Sequence, residues 1–452
     1  MGKLLSENQL NWFQQIFFER FGVKFIFEKR EDCIVFKYKE SEKLIIFSNM
    51  DKEFYTFGET GLNCYEWNSE KEGMQGIISP ILKAPSTKAL PSTLINFNEK
   101  GAEINYDILG LTYWMLNRLE EIHRTDLDNH ERFPAINSHA YKYGYLDRPI
   151  VDEWLDILQQ VIQRVWPNLK LKKHQFSIKV SHDVDVPSRF AFSTPFSVIK
   201  SMASLVLKNN NIKLALMAPF IYLGSKNKIH PLDPYNTFDW LMNISEKNNL
   251  KSAFYFICGR TDKSKDALYE PEHPIIKKMM LEIYKRGHEV GLHPSYNSYN
   301  NPEQINFEAQ RLKKVCKQLG IKQSQWGGRM HFLRWSHPTT LQAWNDAEMS
   351  YDSTLGYADR PGFRCGTCHE YTGFNPVTDT ILNIKIRPLI IMDCSVIAKH
   401  YMGLGYTKKA LNEIIKYKRI CEKVEGNFTF LWHNSFFNGK KSFKLYEDII
   451  QS

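Results

Sequence analysis

In the stretch VSHDVDVP, residues 180–187, Asp183 and Asp185 stand one residue apart behind His182, where an apolar run ends. Side chains two apart on a strand share a face, and a rise of about 3.3 Å per residue separates the two Cα atoms by about 6.6 Å. Buried like charges at that spacing repel until one takes a proton or a cation sits beside them. A divalent metal on one carboxylate, with the other left as a base, resolves the conflict. The plainer alternative is a helix cap followed by a solvated loop. Other polar residues also collect where apolar runs stop. His293 follows EVGL, Arg329, His331 and Arg334 lie in GGRMHFLRW, Asp352 lies in MSYDST, Asp393 follows PLIIM, and His433 follows FTFLW. Each alone reads as a hydrogen-bonded structural residue; together the segments point to one shared site.

Residues that converge this way need a scaffold that ends many strands in one place. From Phe176 onward the pattern is strand, helix, strand: FSIKVSH, SAFYFICG and HEVGLH alternate with EPEHPIIKKMMLEIYKRG and NPEQINFEAQRLKKVCKQLG. Gly287 and Gly320 close those two helices, and Pro302 opens the second. MSYDSTLG, PLIIMDCSVI and NFTFLWHN continue the strands around the helix KKALNEIIKYKRICEKVEG. Such alternation favours parallel strands with right-handed crossovers, and this many units suggest an α/β barrel whose active site lies in the loops after the strands. Residues 1–165 mix helices (from Gln9 to Phe21, YDILGLTYWMLNRLEEIHR, DEWLDILQQVIQRVW) with short strands (KFIFE, CIVFKY, LIIFS) and carry no catalytic constellation. WPNLKL reads as a linker, so the expected domains are 1–165, mixed α/β, and 166–452, the barrel.

The motifs of residues 176–437 resemble the polysaccharide deacetylase (NodB-homology) family, metal-dependent enzymes that remove acetyl groups from sugars on a distorted (β/α)7 barrel. SHDVD is similar to the family's first motif, GLHPSYN to its histidine-bearing second, GRMHFLR to its arginine-bearing third, and FLWHN to the final one. The set HDVD, GLHPSYNS, YDSTLGYADRPGFRCGT, PLIIMD and LWHN resembles a branch associated with bacterial surface-polysaccharide genes, in which an uncharacterised N-terminal domain precedes the barrel. The resemblance implies that Asp183 is the base, that Asp185 and His293 bind metal, and that His433 is the acid. Two departures matter. Val184 separates acids that are adjacent in the family, and Asn297 stands where a second histidine is usual. The third ligand is then His331, or Asn297 binding weakly, or the site is poorly metallated; imidazole suits zinc, which favours His331. Arg329 or Arg334 would hold Asp183 ionised, and Asp352 or Asp393 would raise the pKa of His433.

The remaining features bound the partners. A net charge of +9 in 452 residues, spread without a basic stripe, does not suit a nucleic-acid binder. It suits an N-acetylated sugar, a sugar nucleotide, a lipid-linked glycan or a membrane face. The start of the chain has no uninterrupted apolar core and does not read as a secretory signal, and Gly2 lacks the Ser or Thr of a myristoylation site. The segment 196–224 is apolar but broken by lysines and asparagines; it would lie on a bilayer, cover a cleft, or form ordinary buried helices. Eight dispersed cysteines read as reduced and cytoplasmic. CGTCH, residues 365–369, spells a haem-attachment motif, but reads best as a turn with two thiols on a loop over the barrel mouth. Its neighbours offer Arg360 or Arg364 to an anionic substrate. Tyr296, Trp335, Tyr357 and Trp432 offer faces for sugar rings or pack in the core. The expected substrate contacts are Arg334, Arg364, Tyr296 and Trp432, and the expected cofactor is Zn2+. The competing readings are a hydrolase of a small amide or cyclic imide and a non-catalytic glycan-binding protein.

Overall fold

The computed structural model describes residues 5–30, 33–39, 41–207 and 211–452. Gly2 and Lys208, Asn209 and Asn210, used in the sequence reading, lie outside them. The chain divides into two compact units that interleave along the sequence. One comprises Met1–Ile178, Trp335–Ile391 and Lys416–Thr429, the other Lys179–Arg334, Met392–Ile415 and Phe430–Ser452.

The first unit opens with the helix Glu7–Phe21, started by a reciprocal capping box between Ser6 and Gln9. Its residues Phe13, Phe17 and Phe21 recur every four positions and are buried. They meet Phe25, Phe27 and Phe36 from the strands Phe25–Lys29 and Ile34–Tyr38. Burying each ring contributes about 1.5–3 kcal/mol. These strands join Leu44–Phe47, Gly101–Ile104 and Ile95–Asn98 in a five-stranded sheet. The strands and helices read from the sequence before residue 166 recur within a few residues, except that the long helix read over 106–124 is only Ile108–Leu116 plus a short turn.

A second departure is the antiparallel hairpin Tyr371–Asn375 with Thr380–Ile386, in a stretch where the sequence pattern shows no strand. The turn explains it. Asn375 Oδ1 accepts hydrogen bonds from Val377 N (3.1 Å) and Thr378 N (3.2 Å), reversing the chain within a few residues. A third concerns CGTCH, read as a turn on a loop over the barrel mouth: Cys365 and Cys368 are fully buried in this unit. The turn is pinned to the helix Ile150–Val165, since Asp152 accepts from Thr367 Oγ1 (2.7 Å) and Cys368 N (3.0 Å). All eight cysteines are free.

The second unit holds the strand and helix alternation. Ser177–Val184, most of which lies here, pairs in parallel with Ala253–Ile257, which pairs in parallel with Glu289–His293. Gly327–Gly328 continues the order. Helices Phe238–Lys247, Pro274–Lys285 and Pro302–Gln318 provide the crossovers. Asn301 caps the last by accepting from Gln304 N at 3.1 Å, with Pro302 at its first position. Register sets the site. Asp183 lies opposite Tyr255, and His293 opposite Ile257, so the polar residues emerge at the C-terminal ends of parallel strands. Gly291 allows the close approach: a Cβ there would come within 2.5 Å of both Gly327 O and the Tyr255 ring. The mixed α/β class and the parallel pairing are as the alternation predicts. No helix among the described residues is long and apolar enough to cross a membrane.

Candidate active site

Strand alternation sorts the first motif. His182 turns away from its acidic neighbours, and its Nδ1 meets Trp432 O at 2.6 Å. Burial lowers its pKa to about 4, so it is a neutral structural donor. Asp183 faces the other way and accepts from Arg329 Nη1 at 2.8 Å. Arg329 is wholly buried and also donates from Nη2 to Ser181 Oγ at 2.9 Å. Burying a guanidinium is tolerable only with such partners, and the pair fixes the orientation of the Asp183 carboxylate.

Asp185 lies just past the last strand residue, and three histidines surround it. Its Oδ1 is 3.1 Å from His293 Nε2 and 3.7 Å from His331 Nε2, while its Oδ2 is 3.6 Å from His433 Nε2. His293 Nε2 is also 3.8 Å from Asp183 Oδ2. One ligand atom each from Asp185, His293 and His331 lies within 4.8 Å of the others. Oδ1 of Asp185 is buried and accepts no hydrogen bond. Both imidazoles are held from behind. His293 Nδ1 donates to Arg329 O at 2.6 Å, and His331 Nδ1 meets Asp266 Oδ1 at 3.1 Å. That arrangement turns each Nε2 towards Asp185, as metal-binding histidines require. Phe332 and Leu333, with φ of 61° and 57°, form the strained turn after His331. Such backbone costs about 1–3 kcal/mol per residue and persists where the surroundings enforce it.

The electrostatics follow from these contacts. Burial pushes the Asp185 carboxyl up, but His331, His293 and His433 outweigh it and hold it well below the usual range. Burial pushes His293 down, yet Asp183 and Asp185 raise it overall. His433 behaves similarly: against burial, Asp393 and Cys394 hold its pKa well above the ordinary value. Asp393 Oδ1 and Oδ2 lie 2.9 and 3.1 Å from His433 Nδ1, and Oδ2 accepts from His433 N at 2.7 Å. His433 therefore presents Nε2 to Asp185 with its other nitrogen committed.

Six sequence-derived residues, Asp183, Asp185, His293, Arg329, His331 and His433, come together here. Asp393 supplies the partner of His433; Asp352 belongs to the first unit, where its Oδ1 accepts from Thr354 N at 2.9 Å. Asn297 is exposed, and its Oδ1 accepts from Arg334 Nη1 at 3.0 Å. Arg334 is buried between the rings of Tyr296 and Tyr299, 4.1 and 3.9 Å from their centroids, so it stiffens the turn that carries Tyr296. Tyr296 itself is half-buried. Two expected substrate contacts are occupied otherwise. Arg364 is buried in the first unit in a two-pronged pair with Glu121 (2.9 and 2.6 Å), and Trp432 is fully buried against Phe430, Phe437 and Tyr446. The guanidinium is held by charge, and the indole is spent on aromatic packing, its Nε1 buried with no hydrogen-bond partner among the described residues. Trp335 and Tyr357 are buried in the first unit as well. The sequence reading missed Asp266 and Cys394. Asp266 sits in a loop with no distinguishing pattern; Cys394 was visible only as the neighbour of Asp393.

With the geometry set out, the chain can be placed among known proteins. Residues 6–167 match a family of unknown function, DUF7033. No curated protein matches the chain. Among solved structures it is similar to a Mycobacterium smegmatis protein assigned as a polysaccharide deacetylase, at 14% identity and a TM-score of 0.39, covering 62% of this chain and 84% of that one. It is also similar to PuuE allantoinase, at 10% identity and a TM-score of 0.37, covering 63% and 85%. A third is a mutant of BA3943, a CE4-family pseudoenzyme with restored activity, at 11% identity and a TM-score of 0.25, covering 57% and 66%. Similarities this distant bear on neither chemistry nor substrate.

Proposed function

We propose that this chain is a metal-dependent hydrolase that removes an acetyl group, by preference an N-acetyl, from a sugar unit during assembly of a bacterial surface polysaccharide in the cytoplasm. The observation that carries the reading is Asp185 Oδ1, buried without a hydrogen-bond donor and faced by the Nε2 atoms of His293 and His331. Two imidazoles and a carboxylate are a donor set suited to zinc. Asp185, His293 and His331 would hold the ion. A divalent ion such as Zn2+ supplies Lewis-acid polarisation of a carbonyl and an acidified water.

The side chains account for the proton transfers. Asp183, oriented by Arg329, accepts a proton from the attacking water as general base. His433, kept cationic by Asp393, gives its Nε2 proton to the departing amine or alcohol. Burial of Arg329 and Asp183 keeps bulk water from screening their pairing. Under this reading the strands and helices of residues 166–452 follow the distorted (β/α)7 barrel of the deacetylase type, and residues 1–165 contribute a mixed α/β region of their own. The fitting substrates are an N-acetylated sugar, a sugar nucleotide or a lipid-linked glycan. Acetate release from these three classes, measured with the wild type beside Asp183→Asn, tests the reading. The variant should lose about 10²- to 10⁴-fold in rate with its fold intact; equal rates would remove the mechanism.

A further inference from the structure

The helices Pro195–Leu207 and Ile212–Gly224 of the second unit are apolar on two sides. One side of each is spent on the other helix, where Val198, Leu205, Ala215, Ala218 and Ile221 form a small core with Phe190. The opposite side faces solvent. Phe196, Ile199 and Leu207 are 76%, 63% and 83% exposed, and Leu216, Phe220 and Leu223 are 75%, 62% and 62% exposed. These positions recur at helical spacing, so they form continuous apolar stripes instead of scattered residues.

Charge identifies what would cover them. No Asp or Glu occurs from Val186 to Leu232, where the chain average of 50 acids in 452 residues would place about five. The same stretch carries Arg189, Lys200, Lys208, Lys213, Lys226 and Lys228. A second copy of the hairpin would bring like charges together, whereas anionic lipid headgroups would complement them. Each helix has 13 residues, hence a length of about 20 Å, short of the about 30 Å needed to span a bilayer. Apolar stripes flanked by lysines and too short to span are suited to lying within one leaflet.

We infer that this helical hairpin docks the protein on an anionic membrane surface, with its apolar outer face among the acyl chains and its lysines at the headgroups. Both stems of the hairpin are tied beside the candidate site. Asp233 accepts from Ser188 Oγ (2.6 Å) and Arg189 N (3.0 Å), and Asn434 Nδ2 donates to Val186 O (3.1 Å) and Tyr235 O (2.8 Å). Val186 follows Asp185 and Asn434 follows His433, so a docked hairpin holds those two residues near the headgroups. A lipid-linked sugar as substrate is a consequence that rests on the hydrolase reading; the docking itself does not.

Co-sedimentation of the full chain with vesicles tests the docking, using equal parts phosphatidylglycerol and phosphatidylcholine beside phosphatidylcholine alone. The wild type should pellet with the anionic vesicles and bind the neutral ones about tenfold or more weakly, since each lysine near an anionic surface is worth a factor of about five. The variant Leu216→Ser, Phe220→Ser, Leu223→Ser should stay in the supernatant with an unchanged circular dichroism spectrum. Replacing Lys200, Lys213, Lys226 and Lys228 by Gln should abolish the preference for anionic vesicles. Hydrogen exchange should slow in 195–207 and 212–224 when anionic vesicles are added. Wild type left in solution with both vesicles, equal binding to both, protection confined to other segments, or a dimer that the serine variant converts to monomer would each overturn the inference.

Discussion

Asp152, Cys368 and His369 in the first unit, and Asp185, His293 and His331 in the second, each bring three ligand atoms within 4.8 Å of one another. Residue type and distance qualify both clusters for an ion, but hydrogen bonding leaves only the second with an unspent oxygen. Asp152 is saturated: it accepts from Thr367 Oγ1 and Cys368 N and lies 3.5 Å from Arg20 Nη1. His369 Nε2 is spent on Val424 O at 3.0 Å. Asp185 has an oxygen with no donor, and the rings around it point Nε2 inward. The charges diverge accordingly. Burial raises the Asp152 carboxyl and its partners only partly offset that, whereas the imidazoles around Asp185 overcome burial. Proximity of ligand atoms is therefore a weak criterion, and unspent lone pairs a stronger one.

The largest expected effect separates the clusters by stability. Asp152→Ala leaves Arg20 buried without its carboxylate, and removing one partner of a buried pair costs about 3–5 kcal/mol. Urea unfolding should show that loss while bound zinc is unchanged; zinc lost with stability intact would exchange the roles of the two clusters.

A third buried carboxylate sharpens the contrast through pH. Burial pushes Asp107 up to about 7, opposed by the N–H groups of Gly110 and Asp51. Because the folded-state pKa is raised, its stabilisation is complete below the ordinary carboxylate range and is lost as pH rises through about 7. Unfolding free energy should fall by at most about 4 kcal/mol between about pH 4 and about pH 8 from this group. Asp107→Asn should remove that part of the slope; superimposable profiles would contradict it.

A smaller effect tests the residues behind the ligands. Asp266→Asn weakens the support of His331 Nδ1 and should lower zinc affinity about 10- to 100-fold in a competition titration with a chelator. Thr367→Val, which strips a donor from Asp152, should leave that affinity unchanged.

Much of the site was legible because parallel strands deliver their C-terminal residues to one place. That rule alone places Asp183, His293, Arg329, His331 and His433 together from the sequence. What it could not supply were partners brought together by loops. Asp266 supports His331 across 65 positions of sequence, and Glu121 claims Arg364 across 243. No periodicity records such pairs. The hairpin over 371–386 was missed for a related reason: its first strand is buried throughout, and the reversal depends on the Asn375 side chain. The interleaving of the two units also depends on contacts distant in sequence, which patterning cannot reveal.

Metal content bears most directly on the central claim. The wild type, His331→Ala and His369→Ala, each purified, dialysed against zinc and freed of excess, should be assayed for zinc per chain. Near-stoichiometric zinc in the wild type and His369→Ala, with loss in His331→Ala, is the expected result. A wild type that takes up no ion, or an ion that survives His331→Ala and disappears with His369→Ala, would contradict it.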